Sequence, residues 1–388
     1  MYAIKFFGLF IVLMPVIVPF FEAVGLGMKG VYLIQASFAI TVFIAEIPSG
    51  YLSDMLGRKY SLLLGSLLFG IGFSIFPFAE SLWTFILAEI ILGIGASLKS
   101  GTDTSIIYDT LESLGSKKAQ IKILGKSMSY LTLGEGLASI IASILMYFAF
   151  TTKDLAAVSA FMSWIPFALC FFIIEPPRQK MESNHRENFK YIFKRLFKET
   201  RLLNLIILNT VLSSCATLMA VWLFQKYWNN IGIPLVYFGL LWGLNNLVAS
   251  FFMRKAHKIE KIWGSANVII FVGLVPIAGY LGISLIDHMI GYAACLIFQV
   301  GRGVGQVIFR DALNKRVSSD FRATANSVAQ MGTRVLFSVL GPALGLLIDV
   351  KGLSIASLAM AIFYGLIFII AVRALLKERE NFIKFKGV

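Results

Sequence analysis

The stretch Gly50–Lys59 reads G-Y-L-S-D-M-L-G-R-K and places glycines and charged residues between two long apolar runs. The flanking runs, residues 30–52 and 61–79, are close to the roughly 20 apolar residues that a membrane-spanning helix needs. Two such runs joined by a short charged loop are typical of a helical hairpin in a bilayer. The stretch therefore predicts a membrane protein in which this loop lies at the membrane surface.

The composition of the whole chain supports a membrane protein. Hydrophobic residues make up 58% of the 388 residues and charged residues only 14%, with a mean hydropathy of +0.80. β-Barrel strands would alternate over about ten residues, whereas the apolar runs here are continuous and much longer. The sequence predicts an all-α membrane protein with twelve spans, at residues 3–21, 30–52, 61–79, 82–110, 121–149, 155–174, 202–227, 236–253, 263–283, 289–312, 324–349 and 353–375.

Lysine and arginine residues fall mainly on one side of this predicted topology. The chain has 35 Lys and Arg against 21 Asp and Glu, a net charge of +14. Of these bases, 27 lie on one side, four on the other and four within helices. An excess of bases on the cytoplasmic side is the positive-inside pattern. We therefore expect both termini in the cytoplasm, and the charge requires no nucleic-acid partner. Short outer loops without a glycosylation sequon fit a bacterial inner membrane.

The charged stretch resembles the signature loop between the second and third helices of the major facilitator superfamily (MFS), G-x-L-x-D-[RK]-x-G-R-[RK]. Met55 stands where the family usually has a base. The resemblance implies two pseudo-symmetric six-helix bundles around a central cavity, and a secondary transporter that works by alternating access. The positions that match are Gly50, Leu52, Asp54, Gly57, Arg58 and Lys59.

The middle of the chain interrupts the hydrophobic pattern and predicts three regions. Residues 1–175 form an N-terminal six-helix bundle, 176–201 a basic cytoplasmic linker, and 202–388 a C-terminal six-helix bundle. Apolar residues within the linker recur at helical spacing opposite bases. This pattern favours an amphipathic helix on the cytoplasmic lipid surface. A charged tether without regular structure is the alternative.

A local echo between the two halves indicates duplication. Gly93-x-Gly95 followed by Asp103 recurs as Gly301-x-Gly303 followed by Asp311. These segments fall on the fourth and tenth predicted spans, which hold equivalent places in the two halves. Internal repeats of this kind are common in transporters, with the substrate site at the repeat interface. The loop after the eighth span is basic but shows no clear copy of the signature.

The resemblance also implies a conformational latch at the signature loop. In such a latch Asp54 faces the N-terminal end of the eleventh helix, where the helix dipole favours an anion. Arg58 pairs with an acid at the cytoplasmic end of the fourth helix, with Asp109 the first candidate and Glu112 the second. Gly50, Gly57 and Lys59 complete the latch. A simple positive-inside anchor is the alternative role.

Ionisable residues fall at membrane depth in the fourth and fifth predicted spans. Each costs roughly 3 kcal/mol to insert, so such groups are kept where they pair, line water or act in transport. At about 100° per residue, Glu89, Ser100 and Asp103 project into one quadrant of the fourth span, with Lys99 at its edge. Glu135 lies near the middle of the fifth span. We expect Glu135, Glu89 and Asp103 to carry protons, because burial favours a neutral carboxyl group.

Small residues form a separate stripe on the fifth span. Gly134, Ala138 and Ala142 recur every four residues. Such spacing allows two helix backbones to approach closely. The stripe therefore predicts a tight helix contact along this face.

Polar stripes also follow the tenth and eleventh predicted spans. Arginine binds carboxylate or phosphate in a bidentate fashion, so Arg302 and Arg334, with Lys99, predict an anionic ligand in a shared cavity. Internal pairing of an arginine with Glu135 or Glu89 is the alternative. The remaining candidate substrate contacts are Gln299, Gln306, Asn326 and Gln330.

These observations predict a proton-coupled secondary transporter of a small organic anion, such as a carboxylate or a metal-chelating siderophore. Multidrug or cation efflux is one alternative, and a non-transporting membrane receptor or scaffold is another. No nucleophile and base lie at productive spacing, so we expect no enzyme. We expect no cofactor and no metal site, because His185, His257 and His288 fall in separate loops. The expected partners are the lipid bilayer, the substrate and protons, and the expected state is a monomer.

Overall fold

The computed structural model describes residues 1–116, 119–176, 201–317 and 322–386, apart from the side chains of Ile47, Asp54, Ile121, Ala323 and residues 381–386. All regular structure in these ranges is helical, which confirms the predicted all-α class. The predicted linker lies almost wholly outside the described residues. The helices are α1 (Tyr2–Gly8), α2 (Ile17–Ala23), α3 (Met28–Leu56), α4 (Arg58–Ile75), α5 (Leu82–Lys99), α6 (Thr102–Ser113), α7 (Gln120–Tyr147), α8 (Thr152–Ser163), α9 (Ile165–Cys170), α10 (Arg201–Asn230), α11 (Phe238–Trp263), α12 (Ser265–Leu285), α13 (Tyr292–Asn314), α14 (Arg322–Lys351), α15 (Leu353–Ile367) and α16 (Arg373–Lys386).

The described residues divide into two compact units. The first unit comprises residues 1–176 together with Leu235–Gly243, and the second comprises residues 201–234 and 244–386. Helix α11 therefore contributes its first turn and a half to the first unit. The three predicted regions differ from this division in that short segment, and their exact boundaries stay a prediction.

Eleven helical segments of the described residues are long and apolar enough to cross a membrane. The predicted first span, residues 3–21, is not one of them, because it is broken into α1, a short 3-10 turn at Met14–Val16 and α2. Pro15 and Pro19 account for the break. Each proline removes a backbone donor and its ring collides with the carbonyl four residues earlier. The expectation of a continuous first helix was wrong, although its apolar character was read correctly.

The predicted fourth span is also interrupted, which corrects the expected side-chain stripe. Helix α5 ends at Lys99, and α6 begins at Thr102. Gly101 lies between them with φ +73°, a conformation that glycine adopts without strain. The single helical register assumed for Glu89 and Asp103 therefore does not hold across the break. The two acids belong to different helices.

Glycine contacts give the internal repeat a different register from the one predicted. In the first unit, a Cβ at Gly93 would lie 2.8 Å from Thr41 of α3, and one at Gly95 would lie 2.9 Å from the carbonyl of Gly65 of α4. In the second unit, Gly303 meets α11 and Gly305 meets α12 in the same way. The fourth helix of each half thus packs between the second and third. The structural repeat pairs Gly93 with Gly303, two residues beyond the predicted match.

The shifted register separates two acids that the sequence echo had paired. Asp103 forms an ion pair with Lys5 of α1, whereas Asp311 binds Lys315 one turn along the same helix at 2.6 Å. A different feature of the repeat is retained. Gly264 precedes α12 with φ 77° and ψ 150°, as the glycine at the signature loop precedes α4 with φ 109° and ψ 150°. The second half therefore keeps the turn although it lacks the charged motif.

Candidate transport site

The signature stretch forms the turn between α3 and α4. Gly57 has φ +109°, which is strained for residues with a side chain. A Cβ atom at Gly57 would also lie 3.1 Å from Oε1 of Glu175. Gly50 lies within α3 beside open space, and the side chain of Asp54 lies outside the described part. The positive φ therefore favours glycine at position 57, and a side chain there would also displace the Glu175 carboxylate slightly.

Arg58 and Asp109 form an ion pair beside this turn. Nη1 of Arg58 and Oδ2 of Asp109 are 2.5 Å apart, and the two side chains are 21% and 19% exposed. The pair joins the first residue of α4 to α6. Nζ of Lys59 donates to the carbonyl of Phe171, 3.3 Å away, and so ties the same turn to the end of α9. The structure contains the expected Arg58–Asp109 pair, and its action as a latch stays a prediction.

Glu175 is a partner of the signature turn that sequence reasoning missed. Its Oε1 accepts a hydrogen bond from the backbone N–H of Arg58 at 2.8 Å, and its Oε2 accepts one from that of Lys59 at 2.6 Å. A carboxylate at a helix N-terminus satisfies orphan donors and meets the positive end of the helix dipole. The available signal was an acid directly before Pro176, where the first six spans end. Glu175 thus caps α4.

Replacing Glu175 by alanine is expected to lower the free energy of unfolding by about 1–2 kcal/mol, as the loss of a helix cap does. Two backbone donors of α4 would lose their acceptor. Thermal unfolding of the purified protein in detergent measures this effect. The control is Glu80→Ala, which removes an exposed carboxylate outside the turn. Equal unfolding temperatures for the two variants would contradict the capping role.

Glu89 is enclosed between α3 and α5. Its residue is 5% exposed, and Nε2 of Gln35 donates to its Oε1 at 3.2 Å. A neutral amide orients a carboxyl group without neutralising a charge on it. Burial of a charged carboxylate with such a partner is costly.

Asp103 and Lys99 occupy neighbouring positions within the first unit. Asp103 is ion-paired with Lys5, whose residue is 8% exposed, and the pair joins α6 to α1. Nζ of Lys99 lies 4.0 Å from the ring centroid of Phe69 on α4, a cation–π contact. Lys99 also lines a small cavity with Phe7 of α1. The partners shown for both residues are internal to the first unit, so their substrate and proton roles stay predictions.

Glu135 lies on α7 beside the first turns of α11. Nε1 of Trp242 donates to Oε1 of Glu135 at 3.2 Å. About two helical turns further along, Oγ of Ser143 accepts a hydrogen bond from the backbone N–H of Leu240 at 3.1 Å. These contacts hold the Glu135 carboxylate beside the Trp242 indole.

In the second unit, α13 presents the predicted tenth-span stripe with unequal burial. Gln299 is 2% exposed and its Oε1 accepts from Nη1 of Arg302 at 3.4 Å. Arg302 is half-buried, whereas Gln306 and Arg310 are exposed. The structure thus brings the buried amide of Gln299 together with the guanidinium of Arg302, and the amide oxygen orients the guanidinium.

The predicted eleventh-span stripe lies on α14. Arg334 is half-buried and Gln330 is exposed. Nδ2 of Asn326 donates to Oδ1 of Asn314 at 2.7 Å, which ties the start of α14 to the end of α13. Asn326 therefore has a structural partner. Of Asn326, Gln330 and Arg334, Arg334 lies nearest the middle of the span.

A second polar group in this unit was not foreseen from the sequence. The hydroxyl of Tyr292 donates to Oδ1 of Asn245 at 3.1 Å, and the ring of Trp228 lies 6.1 Å from that of Tyr292. Nδ2 of the buried Asn245 and Nε1 of the buried Trp222 have no hydrogen-bond partner among the described residues. Aromatic and amide residues clustered in the seventh, eighth and tenth spans were the available signal.

One histidine, His257, does not lie where the sequence analysis predicted it. His257 lies on α11 rather than in a loop, and its nitrogen, a carboxylate oxygen of Glu260 and one of Asp311 all lie within 4.8 Å of one another. These are residue types that hold divalent metals. The sequence reasoning missed this grouping because Asp311 comes from α13, about fifty residues away.

Long apolar helices, a charged turn and ionisable side chains within the spans define a membrane transporter. A family model of the Major Facilitator Superfamily matches residues 1–342. An uncharacterised MFS-type transporter of Methanocaldococcus jannaschii is 20% identical over 354 residues, 88% of this chain and 87% of that protein. The arabinose-proton symporter of Escherichia coli is 27% identical over 163 residues, 42% of this chain and 34% of the symporter. A variant of the nucleoside transporter NupG superposes with a TM-score of 0.82 at 14% identity, covering 96% of this chain and 98% of that one.

The chain belongs to the Major Facilitator Superfamily. It has the MFS fold, and it is a multi-pass membrane protein of the secondary-transporter type. Its substrate is therefore a small molecule that crosses a lipid bilayer.

Proposed function

We propose that this transporter moves a small organic anion by alternating access and couples the movement to protons. The solute class is carboxylate-like and includes metal-chelating siderophores. The positive-inside pattern supports both termini in the cytoplasm. A monomer in a bacterial-type inner membrane completes the proposal. The observation that carries the proposal is the half-buried Arg302 on a membrane-spanning helix.

The position of Arg302 supports an anionic substrate. An arginine at membrane depth costs roughly 3 kcal/mol on insertion scales, so it is retained where it serves binding or pairing. The side-chain carbonyl oxygen of Gln299 accepts from the Arg302 guanidinium at 3.4 Å and helps to orient it. Arg334 lies half-buried on the adjacent span of the same unit. Two guanidinium groups present paired donors that match a carboxylate.

The acids of the first unit support proton coupling. Glu89 is enclosed with a neutral amide, and Glu135 receives an indole N–H. Gln35 holds Glu89 with a hydrogen-bond donor that carries no charge. Protonation of Glu89 then leaves its site neutral, and release of the proton creates a charge that water or substrate must stabilise. This asymmetry is what a proton-coupled cycle requires. Asp103, which is held by Lys5, contributes less to it in our proposal.

Replacing Arg302 by glutamine is expected to weaken substrate binding at least tenfold, because a charge-assisted hydrogen bond contributes about 1.5–3 kcal/mol. Counterflow in proteoliposomes, run first with carboxylates, iron-bound siderophores, sugars, nucleosides and organic cations, identifies the solute and then measures its KM. Arg310→Gln is the matched control, because Arg310 is exposed on the same helix. Exchange of an anion with the same KM in both variants would overturn the role of Arg302.

The same panel tests the alternative functions. Exchange of cations alone would favour efflux of drugs, and a folded protein that exchanges no solute would favour a receptor or scaffold.

A neutral, hydroxylated solute is a second candidate. The buried side-chain N–H donor of Asn245 and the Tyr292 hydroxyl that contacts this side chain suit hydroxyl and ring oxygens, and the buried Trp222 of the same unit offers a further donor. The arabinose-proton symporter and the nucleoside transporter are named for solutes of this kind. In the same counterflow panel, this candidate predicts exchange of a sugar or nucleoside that Asn245→Ala abolishes and Arg302→Gln leaves intact.

A further inference from the structure

Three side chains with metal-binding groups meet near the ends of α11 and α13, within the second unit. They are His257 and Glu260 on α11 and Asp311 on α13. One nitrogen and two carboxylate oxygens all lie within 4.8 Å of one another. Ligand atoms around a tetrahedral Zn²⁺ ion lie roughly 3.4 Å apart, as bonds of about 2.0–2.2 Å require. Small side-chain rotations would therefore bring the three atoms to bonding distance.

Two of these groups share one face of α11. His257 and Glu260 lie three residues apart, a spacing at which side chains on a helix are neighbours. Nδ1 of His257 is 3.8 Å from Oε2 of Glu260. A glutamate and a histidine at this spacing supply metal ligands in helical bundles. Asp311 adds a carboxylate from a second helix, so the three groups approach a common point from two sides.

The Glu260 carboxylate is oriented by a hydrogen bond from outside the group. The hydroxyl of Ser265, the first residue of α12, donates to Oε1 of Glu260 at 2.7 Å. The other oxygen, Oε2, is the one that faces His257. Hydrogen bonds to a metal-binding carboxylate fix its orientation and raise metal affinity. Ser265 thus positions Glu260 for an ion shared with His257.

A cation already contacts the third group. Nζ of Lys315 lies 2.6 Å from Oδ2 of Asp311, one helical turn away. The Lys315 side chain is 69% exposed, so its ammonium group can move into water. An exposed ion pair of this kind contributes little to stability. A metal ion with further ligands can therefore displace the ammonium group from Asp311.

The basic surroundings determine which kind of metal fits. Arg316 and Arg379 line the same cavity as Glu260 and Asp311, and their charges weaken the attraction for any cation. Mg²⁺ and Ca²⁺ bind through several oxygen ligands and depend on that attraction. Zn²⁺ binds imidazole nitrogen well and accepts three protein ligands with a water molecule. The side chain of His257 is 64% exposed, which leaves the fourth position open to water.

We propose that His257, Glu260 and Asp311 bind one divalent transition-metal ion of the Zn²⁺ type, with water as the fourth ligand. The ion joins α11 to α13 on the side that the positive-inside pattern predicts to be cytoplasmic. It stabilises the second unit and restrains movement of one span against the other. Asp311 lies nine residues beyond Arg302 on α13, roughly 13 Å along the helix. The metal site is therefore separate from the proposed transport site.

The test uses the full-length protein without an affinity tag, purified in detergent and freed of metal with EDTA. Thermal unfolding is recorded while ZnCl₂ is added, and bound zinc is counted after equilibrium dialysis. Wild type is expected to bind one Zn²⁺ per chain and to gain stability, whereas Mg²⁺ at the same concentration should give no gain. His257→Gln and Glu260→Gln should each need at least about tenfold more Zn²⁺ for the same gain. If Glu260→Gln does not fold, His257→Gln decides the comparison, because His257 is exposed.

His288→Gln is the matched control, because His288 is exposed and lies outside the group. It should respond to Zn²⁺ as wild type does. Lys315→Gln should bind Zn²⁺ more tightly, because it removes the cation that competes for Asp311. Equal Zn²⁺ responses of wild type and His257→Gln would overturn the site, as would the absence of bound zinc in wild type. Unchanged or weaker Zn²⁺ binding by Lys315→Gln would overturn the role of Asp311 as a ligand.

Discussion

Replacing Gly134 by alanine is expected to destabilise the protein by about 3 kcal/mol or more, at the upper end of the usual cost of overpacking. A Cβ atom at Gly134 would lie 1.9 Å from the carbonyl oxygen of Phe6. That neighbour is backbone of α1, so no side-chain rotation relieves the collision. Helices α1 and α7 would have to separate, and the buried Ala138 and Ala142 on the same face would lose their contacts. Thermal unfolding in detergent and the yield of monodisperse protein measure the effect.

Gly136 provides a matched control on the same helix. A Cβ at Gly136 meets no atom within 4 Å, and alanine has a higher helix propensity than glycine by about 1 kcal/mol. Gly136→Ala should therefore leave stability unchanged or slightly increase it. Equal stability of the Gly134→Ala and Gly136→Ala proteins would show that the α1–α7 contact is looser than the structure indicates.

Replacing Glu89 by glutamine is expected to abolish proton-driven accumulation of substrate, with a loss of at least tenfold. Glutamine has the shape of the protonated acid and retains a hydrogen bond with Gln35, so the fold should persist. It cannot release a proton, so the coupled half of the cycle would stop. Substrate counterflow needs no net proton movement and should continue. Uptake driven by an imposed pH gradient and counterflow, measured on the same proteoliposomes, separate the two activities.

The control for Glu89 is Glu80→Gln, which changes an exposed carboxyl group just before the same helix. It should leave both activities intact. If the Glu89→Gln protein showed normal gradient-driven uptake, Glu89 would have a structural role, and Glu135 would become the candidate proton carrier. Loss of both activities with a lowered unfolding temperature would show that the carboxyl group stabilises α3 against α5.

Several contacts at the signature loop were predictable from the sequence and others were not. Arg58 and Asp109 were expected to pair, and they do, because the motif fixes the turn and leaves few acids within reach. Glu175 was missed because its partners are backbone N–H groups, and the residue types of the motif do not indicate such partners. The ion pair of Lys5 with Asp103 was likewise not foreseen. These partners lie 98 to 117 residues apart, so their pairing needs the fold.

The sequence by itself determined that this protein lies in lipid and that it is built of helices. Continuous apolar runs require lipid, and in lipid the backbone satisfies its hydrogen bonds as helices, so composition and run length are sufficient. Only the tertiary structure decided which glycines match between the halves. That outcome depends on which helix approaches which glycine, at distances of 2 to 3 Å. Local periodicity describes one face of one helix and contains no information about the surface that it meets.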